Sequence, residues 1–219
     1  MIALVLAASL SGTPVPSPSV GEGFVPLFDG KSLAGWRGYL RGSAPKGWSA
    51  KDGELVITPG VEGGDLITTE SFADFDLRLE WKVSKGANSG IFFRASEDTP
   101  YIWQKSHEYQ LLDDASNPNT GPMYTAGACY DLYPVKAKVA RPAGEWNESR
   151  IVAIGPKVEH WLNGTKVCDY VVGSEDWLKQ LERSKFKSYD GFGRLPSGKI
   201  GLQDHGHLVS FRNIRIKKL

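Results

Sequence analysis

This chain has almost no net charge, no long apolar run and few cysteines, and each of these features excludes a class of partner or site. Twenty-six lysines and arginines nearly balance 25 aspartates and glutamates, for a formal net charge of +1 over 219 residues. There is therefore no electrostatic reason to expect nucleic acid as a partner. No stretch approaches the roughly 20 apolar residues that span a bilayer.

The chain has only two cysteines, Cys129 and Cys168, and neither lies in a C-x-x-C pair. The sequence therefore gives no support for a zinc or redox site. Both residues lie in strand-like segments, where the simplest interpretation is a small buried hydrophobic side chain. If the chain is exported, a disulfide between the two cysteines is the alternative.

The N-terminus combines a short apolar run, MIALVLAASLSG, with a Pro/Ser stretch, TPVPSPSV, that has linker composition. It resembles the back half of a secretory signal but lacks the positively charged n-region. The alternative is a disordered or wrongly assigned start. We predict a periplasmic or secreted protein, with residues 1–20 as leader and linker. Residues 21–219 are predicted to form one domain, a size that β sandwiches commonly reach.

Period-two alternation is the main structural signal. In FADFDLRLEWKVS, residues 72–84, the odd positions from 75 to 83 are apolar and the even positions between them are charged, which predicts a strand with one buried face. Asn163-Gly164 between two apolar runs predicts a type I′ hairpin. Residues 174–186, SEDWLKQLERSKF, have helical spacing, with Ser174 as the N-cap.

Further strand-like segments occupy residues 88–96, 107–113, 127–135, 147–155, 157–172, 197–206 and 208–219. About a dozen strands, one short helix and 25 glycines predict an all-β fold. Because the strands are long, two stacked sheets bury their apolar faces better than a small barrel does. The prediction is a two-sheet antiparallel jelly-roll sandwich with one short helix.

Three segments place hydrogen-bonding side chains opposite an apolar face. In HEYQLLD, Glu108 and Gln110 share the face opposite Tyr109, and the same alternation gives the full set: Arg94, Glu108, Gln110, Gln203 and His205. If these strands are neighbours, the set lines one face of a sheet and suits a hydroxyl-rich ligand, with Trp103, Tyr124 or Tyr130 packing on a sugar ring. The alternative is that each residue faces water. Asn88 is interpreted as a turn residue.

The spacing Glu108-x-Gln110-x-x-Asp113 has the outline of the E-x-D-x-x-E strand motif of laminarinase-type glucanases. In those enzymes two carboxylates, roughly 5 to 5.5 Å apart, act as nucleophile and acid/base. Here Gln110 replaces the middle Asp and Asp113 the final Glu, which argues against ordinary double displacement. The chain has no nucleophile elbow, H-E-x-x-H, P-loop or dinucleotide fingerprint. No metal or cofactor is predicted, and a structural Ca²⁺ ion is left open without support from loop spacing.

In order along the chain, FVPLFDGKSLAGWRG, DGELV, FADFDLRLEWKV, NSGIFFR, EYQLLDD, GEWNESRIVAIGPKVEHWLNG and GKIGLQDHGHLVSFRNIRIK resemble the 3-keto-disaccharide hydrolase family. The resemblance covers residues 24–219. It implies a concanavalin A-like lectin/glucanase jelly roll. It also implies cleavage of glycosides already oxidised to a ketone at sugar C3, commonly by exported proteins. The five polar positions of the set above carry over as candidates.

That substrate class explains the departure from the glucanase motif. A C3 ketone acidifies the hydrogen on C2, and the glycosidic oxygen on C1 lies β to the resulting carbanion. One general base and one enolate stabiliser can then expel the aglycone, after which water adds back.

The predicted roles follow from this chemistry. Glu108 and His205 are the candidate catalytic residues, either of them as the base, and Arg94 or Gln203 could hold the oxyanion. The predicted substrate-binding residues are Arg94, Gln110, Gln203, Tyr130 and Trp103. A sugar oxidoreductase is expected upstream. The alternatives are a non-catalytic carbohydrate-binding module on the same sandwich and, ranked last, a retaining glucanase.

Overall fold

The computed structural model describes residues 23–219. The predicted leader and linker, residues 1–20, lie outside the described residues. Within 23–219 the strands are β1 Val25–Pro26, β2 Trp36–Gly38, β3 Trp48–Lys51, β4 Glu54–Ile57, β5 Leu66–Thr68, β6 Phe75–Val83, β7 Asn88–Ala95, β8 His107–Leu112, β9 Asn147–Ile154, β10 Lys157–Leu162, β11 Thr165–Val171, β12 Lys199–Leu202 and β13 Val209–Lys218. The α-helix, α1, is Glu175–Arg183. This part of the chain holds no helix with the length and apolar character needed to cross a membrane.

The strands form two sheets in which every pair is antiparallel. The larger sheet has the order β11-β10-β9-β6-β13-β4-β3, with β1 beside β13, and the smaller has the order β2-β5-β12-β7-β8. Neighbours that are distant in sequence, such as β6 and β13, are the crossovers expected of a jelly roll. The predicted all-β two-sheet sandwich with one short helix is confirmed.

The core lies between the two sheets, and the alternation of β6 builds one wall of it. Phe75, Leu77 and Trp81 are fully buried, and the Trp81 indole donates a 2.8 Å hydrogen bond to Ser149 Oγ on β9. From the smaller sheet, Phe93 meets Phe75 edge-on at 6.2 Å. Burying side chains of this size stabilises the fold by about 1.5–3 kcal/mol each.

Two local predictions are also confirmed. Asn163 and Gly164 have φ of 48° and 81°, the two positive values that a type I′ turn requires, and they join β10 to β11. Ser174 caps α1 by accepting a 3.1 Å hydrogen bond from the Trp177 N–H. Cys129 and Cys168 are buried free thiols.

Residues 127–135 do not form the predicted strand. The backbone bends where Gly127 and Asp131 adopt positive φ of 92° and 58°, so the segment pairs with the edge of β8 only at an isolated bridge between Cys129 and Tyr109. The N–H groups of Gly127 and Tyr130 donate to the carbonyls of Gln110 and Glu108 at 2.9 and 3.0 Å. This segment therefore brings Tyr130 next to the middle of β8.

Candidate active site

A cavity of about 360 Å³ opens on the outer face of the smaller sheet, away from the main core. Its lining contains five of the seven predicted site residues: Glu108, His205, Gln203, Tyr130 and Trp103. The remaining lining residues are Gly64, Asp65, Asn88, Tyr101, Lys185 and Asp204. The cavity is thus assembled from β7, β8 and five connecting segments that are far apart in sequence.

Glu108 is held in the cavity by the pairing of β8 with β7. It lies opposite Phe92, on the face turned away from Tyr109 and the core. Gly90 on β7 makes room for it, because a Cβ there would come within 2.7 Å of Glu108 Oε1. The residue is only 6% exposed. Burial raises the pKa of Glu108 to about 8. The positive charge of Lys185 and the hydrogen-bonding side chain of Gln203 lower this pKa, whereas the negative charge of Asp65 raises it further.

Gln203 begins the loop after β12 and is anchored through its backbone. Its N–H donates to the carbonyl of Gly90 at 2.9 Å, and its own carbonyl accepts from Ser89 Oγ at 2.8 Å. Its side-chain oxygen is buried with no hydrogen-bond partner among the described residues. Such an atom is costly to leave unpaired, so it is available to a ligand hydroxyl group.

Asp65 and Asp204 lie at one side of the cavity and differ in their hydrogen bonds. Asp204 holds the loop in shape, since its carboxylate accepts from the N–H groups of Gly64 and Gly206 at 2.8 and 2.9 Å. Asp65 accepts the Asp204 N–H at 2.9 Å. Burial, followed by the nearby charge of Asp204, raises the pKa of Asp65 to about 6. His205 is exposed next to this pair and stacks on His207 with ring centroids 6.1 Å apart.

Aromatic rings form the opposite side of the cavity. Tyr101 stacks on Trp103 with centroids 5.8 Å apart and planes 16° from parallel. The Lys185 ammonium lies 5.2 Å from the Trp103 ring centre and 4.4 Å from that of Tyr130. Flat apolar faces next to acceptor oxygens suit a sugar ring, which has apolar C–H faces and hydroxyl edges.

The structure corrects the prediction for Arg94. A bulge between β7 and β12, which shifts the register between Lys199 and Gly201, breaks the alternation, and Arg94 has φ of 50°. Its guanidinium is buried against Asp74 and donates to the carbonyls of Ala73 and Gly155 at 2.7–3.0 Å. Arg94 therefore ties the two sheets together and does not line the cavity.

Gln110 and Asp113 also lie outside the cavity. Gln110 does share the outer face with Glu108, but the segment 127–135 covers it and leaves it 2% exposed. The Asp113 carboxylate accepts the Gly86 N–H at 2.8 Å and so closes the turn before β7. The second carboxylate of a glucanase-type pair is thus absent from the position that the motif predicts.

Sequence reasoning missed several cavity residues, above all Lys185, Asp65 and Tyr101. No sequence pattern marks them, because they come from connecting segments that only the packing brings to β8. Asn88, interpreted as a turn residue, is the first residue of β7 and lines the cavity with an unpartnered buried side-chain oxygen.

Across residues 23–219, no three His, Cys, Asp or Glu side chains are grouped as metal ligands. The expectation of no metal stays a prediction.

Comparison with known proteins identifies the family. The family model described as the 3-keto-α-glucoside-1,2-lyase-like domain matches residues 23–217. The chain belongs to this family. A protein of Bacteroides thetaiotaomicron named 3-keto-disaccharide hydrolase is 36% identical over 234 residues, which cover 92% of this chain and 80% of that one. This member of the 3-keto-α-glucoside-1,2-lyase-like family is accordingly an enzyme of the glycosidase type.

Solved structures agree with the family fold. One from Parabacteroides distasonis, assigned provisionally to the glycosyl hydrolases, is 32% identical with a TM-score of 0.84 and covers 94% of this chain and 98% of that one. A second from the same organism is 30% identical with a TM-score of 0.74, covering 90% and 99%. A carbohydrate-binding module from Bacillus subtilis, 12% identical with a TM-score of 0.54 over 84% and 96% of the two chains, shares the fold alone.

Proposed function

We propose that this enzyme cleaves glycosides that carry a ketone at sugar C3, by removing the C2 proton and eliminating the aglycone. The observation that carries the proposal is Glu108, a nearly buried carboxylate in the cavity with its pKa raised to about 8. A general base works best when its pKa lies close to the working pH. The family and its Bacteroides relative support the 3-keto substrate class.

The reaction balances with one base. The Glu108 carboxylate takes the C2 proton, the C–H electron pair forms a C2–C3 double bond, and the carbonyl pair moves onto the C3 oxygen. When the carbonyl re-forms, a C1–C2 double bond develops and the C1–O bond breaks. The aglycone oxygen leaves with its electron pair and is protonated. Addition of water to C1 and of a proton to C2 then gives net hydrolysis.

The positions of Glu108 and His205 support different roles for the two candidates. Glu108 lies against Gly90 at the sheet, where a bound sugar would cover it, whereas His205 is exposed at the loop. We therefore assign C2 deprotonation to Glu108 and protonation of the departing oxygen to His205. Asn88 and Gln203, with their unpartnered oxygens, bind hydroxyl groups, and Trp103 packs on the ring.

The deciding experiment incubates the purified protein with 4-nitrophenyl 3-keto-glucoside and with the parent glucoside. Release of nitrophenol from the ketone only, with solvent deuterium at C2 of the product sugar, is the expected result. Binding of the ketone without turnover would favour the binding-module alternative. Turnover without deuterium at C2 would point to direct displacement at C1.

His205→Ala separates the second role. If His205 protonates the leaving oxygen, its loss should slow an alkyl 3-keto-glucoside more than the nitrophenyl one, because nitrophenolate leaves without help. Leu208→Ala is the matched control, since Leu208 is an exposed residue of the same loop outside the cavity lining. Equal slowing of both substrates by His205→Ala would contradict the assignment.

Two proposals concern the setting of the reaction. The ketone must be made by a separate sugar oxidoreductase, because elimination neither oxidises nor reduces the sugar overall. The second proposal is export to the periplasm or medium, which the apolar start and the Pro/Ser stretch support. Detecting the mature N-terminus near residue 20 in a periplasmic fraction would support export.

A further inference from the structure

Lys185 is held at the cavity by the turn that follows α1. Its backbone N–H donates to Asp131 Oδ2 at 2.8 Å. Its ammonium lies over three rings, 4.4 Å from the centre of Tyr130, 5.2 Å from Trp103 and 5.1 Å from Phe186. Cation–π contacts of this kind hold an ammonium in position without neutralising its charge.

The positive charge of Lys185 has no carboxylate partner in the described part of the chain. None of the fourteen ion pairs there includes it, although Lys105 pairs with Asp98 close by. Lys185 is also the one lysine or arginine among the described lining residues. Glu108 lines the same cavity, and the Lys185 charge acts on it in the direction that favours the carboxylate.

Among the other polar groups of the lining, Asp65 and Asp204 are carboxylates, and the free atoms of Asn88 and Gln203 are oxygens. Tyr101, Tyr130 and His205 can also donate, but Lys185 is the one lysine or arginine among the described lining residues. Acceptors suit sugar hydroxyl groups, which can donate. A ketone oxygen can only accept, and it becomes negative as the C2 proton leaves, so it requires a donor that is preferably charged.

We propose that Lys185 is a catalytic residue whose ammonium donates to the C3 oxygen and stabilises the enolate. The inference rests on the proposed function and names the residue that stabilises the negative C3 oxygen in that reaction. As Glu108 removes the C2 proton, the electron pair that arrives on the C3 oxygen meets the Lys185 charge. That pair returns to the carbonyl when the C1–O bond breaks, so Lys185 neither gains nor loses a proton overall.

The test compares Lys185→Met and Lys185→Gln with wild type on 4-nitrophenyl 3-keto-glucoside. Removing one oxyanion donor costs about 10²–10³-fold in kcat, so we expect that loss in both variants, with KM changed much less. Lys185→Arg, which keeps the charge, should recover part of the rate. Lys187→Met is the control, because Lys187 lies in the same turn but outside the cavity lining, and it should match wild type.

The pH profile gives a readout that a purely structural role would not move. The Lys185 charge lowers the pKa of Glu108, so Lys185→Gln should shift the rising limb of kcat/KM to higher pH. The other titratable groups that line the cavity are unchanged in the variant; they are Asp65, Tyr101, Tyr130, Asp204 and His205.

Two outcomes would overturn the role of Lys185. One is a kcat for Lys185→Gln within about threefold of wild type, and the other is a higher KM with kcat unchanged, which marks uniform binding. Failure of the proposed function looks different, because wild type itself would then leave the 3-keto substrate intact. A melting temperature for Lys185→Gln equal to that of Lys187→Met would show that the fold is retained.

Discussion

The pH dependence of Glu108 provides the most direct test of the proposed mechanism. Burial raises the pKa of this carboxyl to about 8. A base must be ionised to act, and with that pKa about a tenth of the carboxyl groups are ionised at pH 7 and about nine tenths at pH 9. We therefore expect kcat/KM on 4-nitrophenyl 3-keto-glucoside, whose leaving group needs no proton from His205, to rise roughly tenfold between these pH values.

Glu108→Gln removes the base while keeping the shape of the side chain. The rate should fall about 10²–10⁴-fold, and the rise with pH should disappear. Glu182→Gln on the exposed side of α1 is the matched control and should behave as wild type. Aglycone release is measured in stopped samples, with enzyme-free blanks at each pH because 3-keto-glycosides eliminate spontaneously in base.

Stability should change in the opposite direction to activity. Since the folded state holds the Glu108 proton up to about pH 8 and the unfolded chain only to about its ordinary 4.5, the free energy of unfolding of wild type declines as pH rises through that window. Glu108→Gln removes this penalty and should be the more stable protein at pH 9. A kcat/KM that falls from pH 7 to 9, or a Glu108→Gln variant within tenfold of wild type, would refute the base assignment.

Three further substitutions test the geometry. Gly90→Ala should displace the Glu108 carboxylate and cost about 10²-fold in kcat, whereas Gly42→Ala, in open space, should cost nothing in an activity assay. Arg94→Met should lower the free energy of unfolding by roughly 2–5 kcal/mol in denaturant titrations, while kcat/KM of the folded enzyme stays near wild type. A selective loss of substrate affinity would instead show that Arg94 binds substrate. Ser174→Ala should lower stability by about 1 kcal/mol, and a larger loss of activity than of stability would contradict a capping role.

The alternation of apolar and polar residues was enough to predict the sandwich. In residues 75–83 a period of two determines which side chains face the core. The Asn163-Gly164 hairpin and the Ser174 cap were predicted from turn and capping preferences, which are equally local. The same alternation placed Glu108 and Gln110 on one face of β8. Local rules work there because each depends on neighbours a few residues away in the chain.

What only the tertiary structure decided is which polar side chains meet. A bulge turned Arg94 away from the cavity, and the bend at Gly127 covered Gln110, although both residues follow the pattern that predicted Glu108. Lys185 and Asp65 joined the cavity from segments about 80 and 40 residues away along the chain from Glu108. The packing of loops on a sheet depends on contacts between distant residues, and no short-range periodicity in one sequence records them.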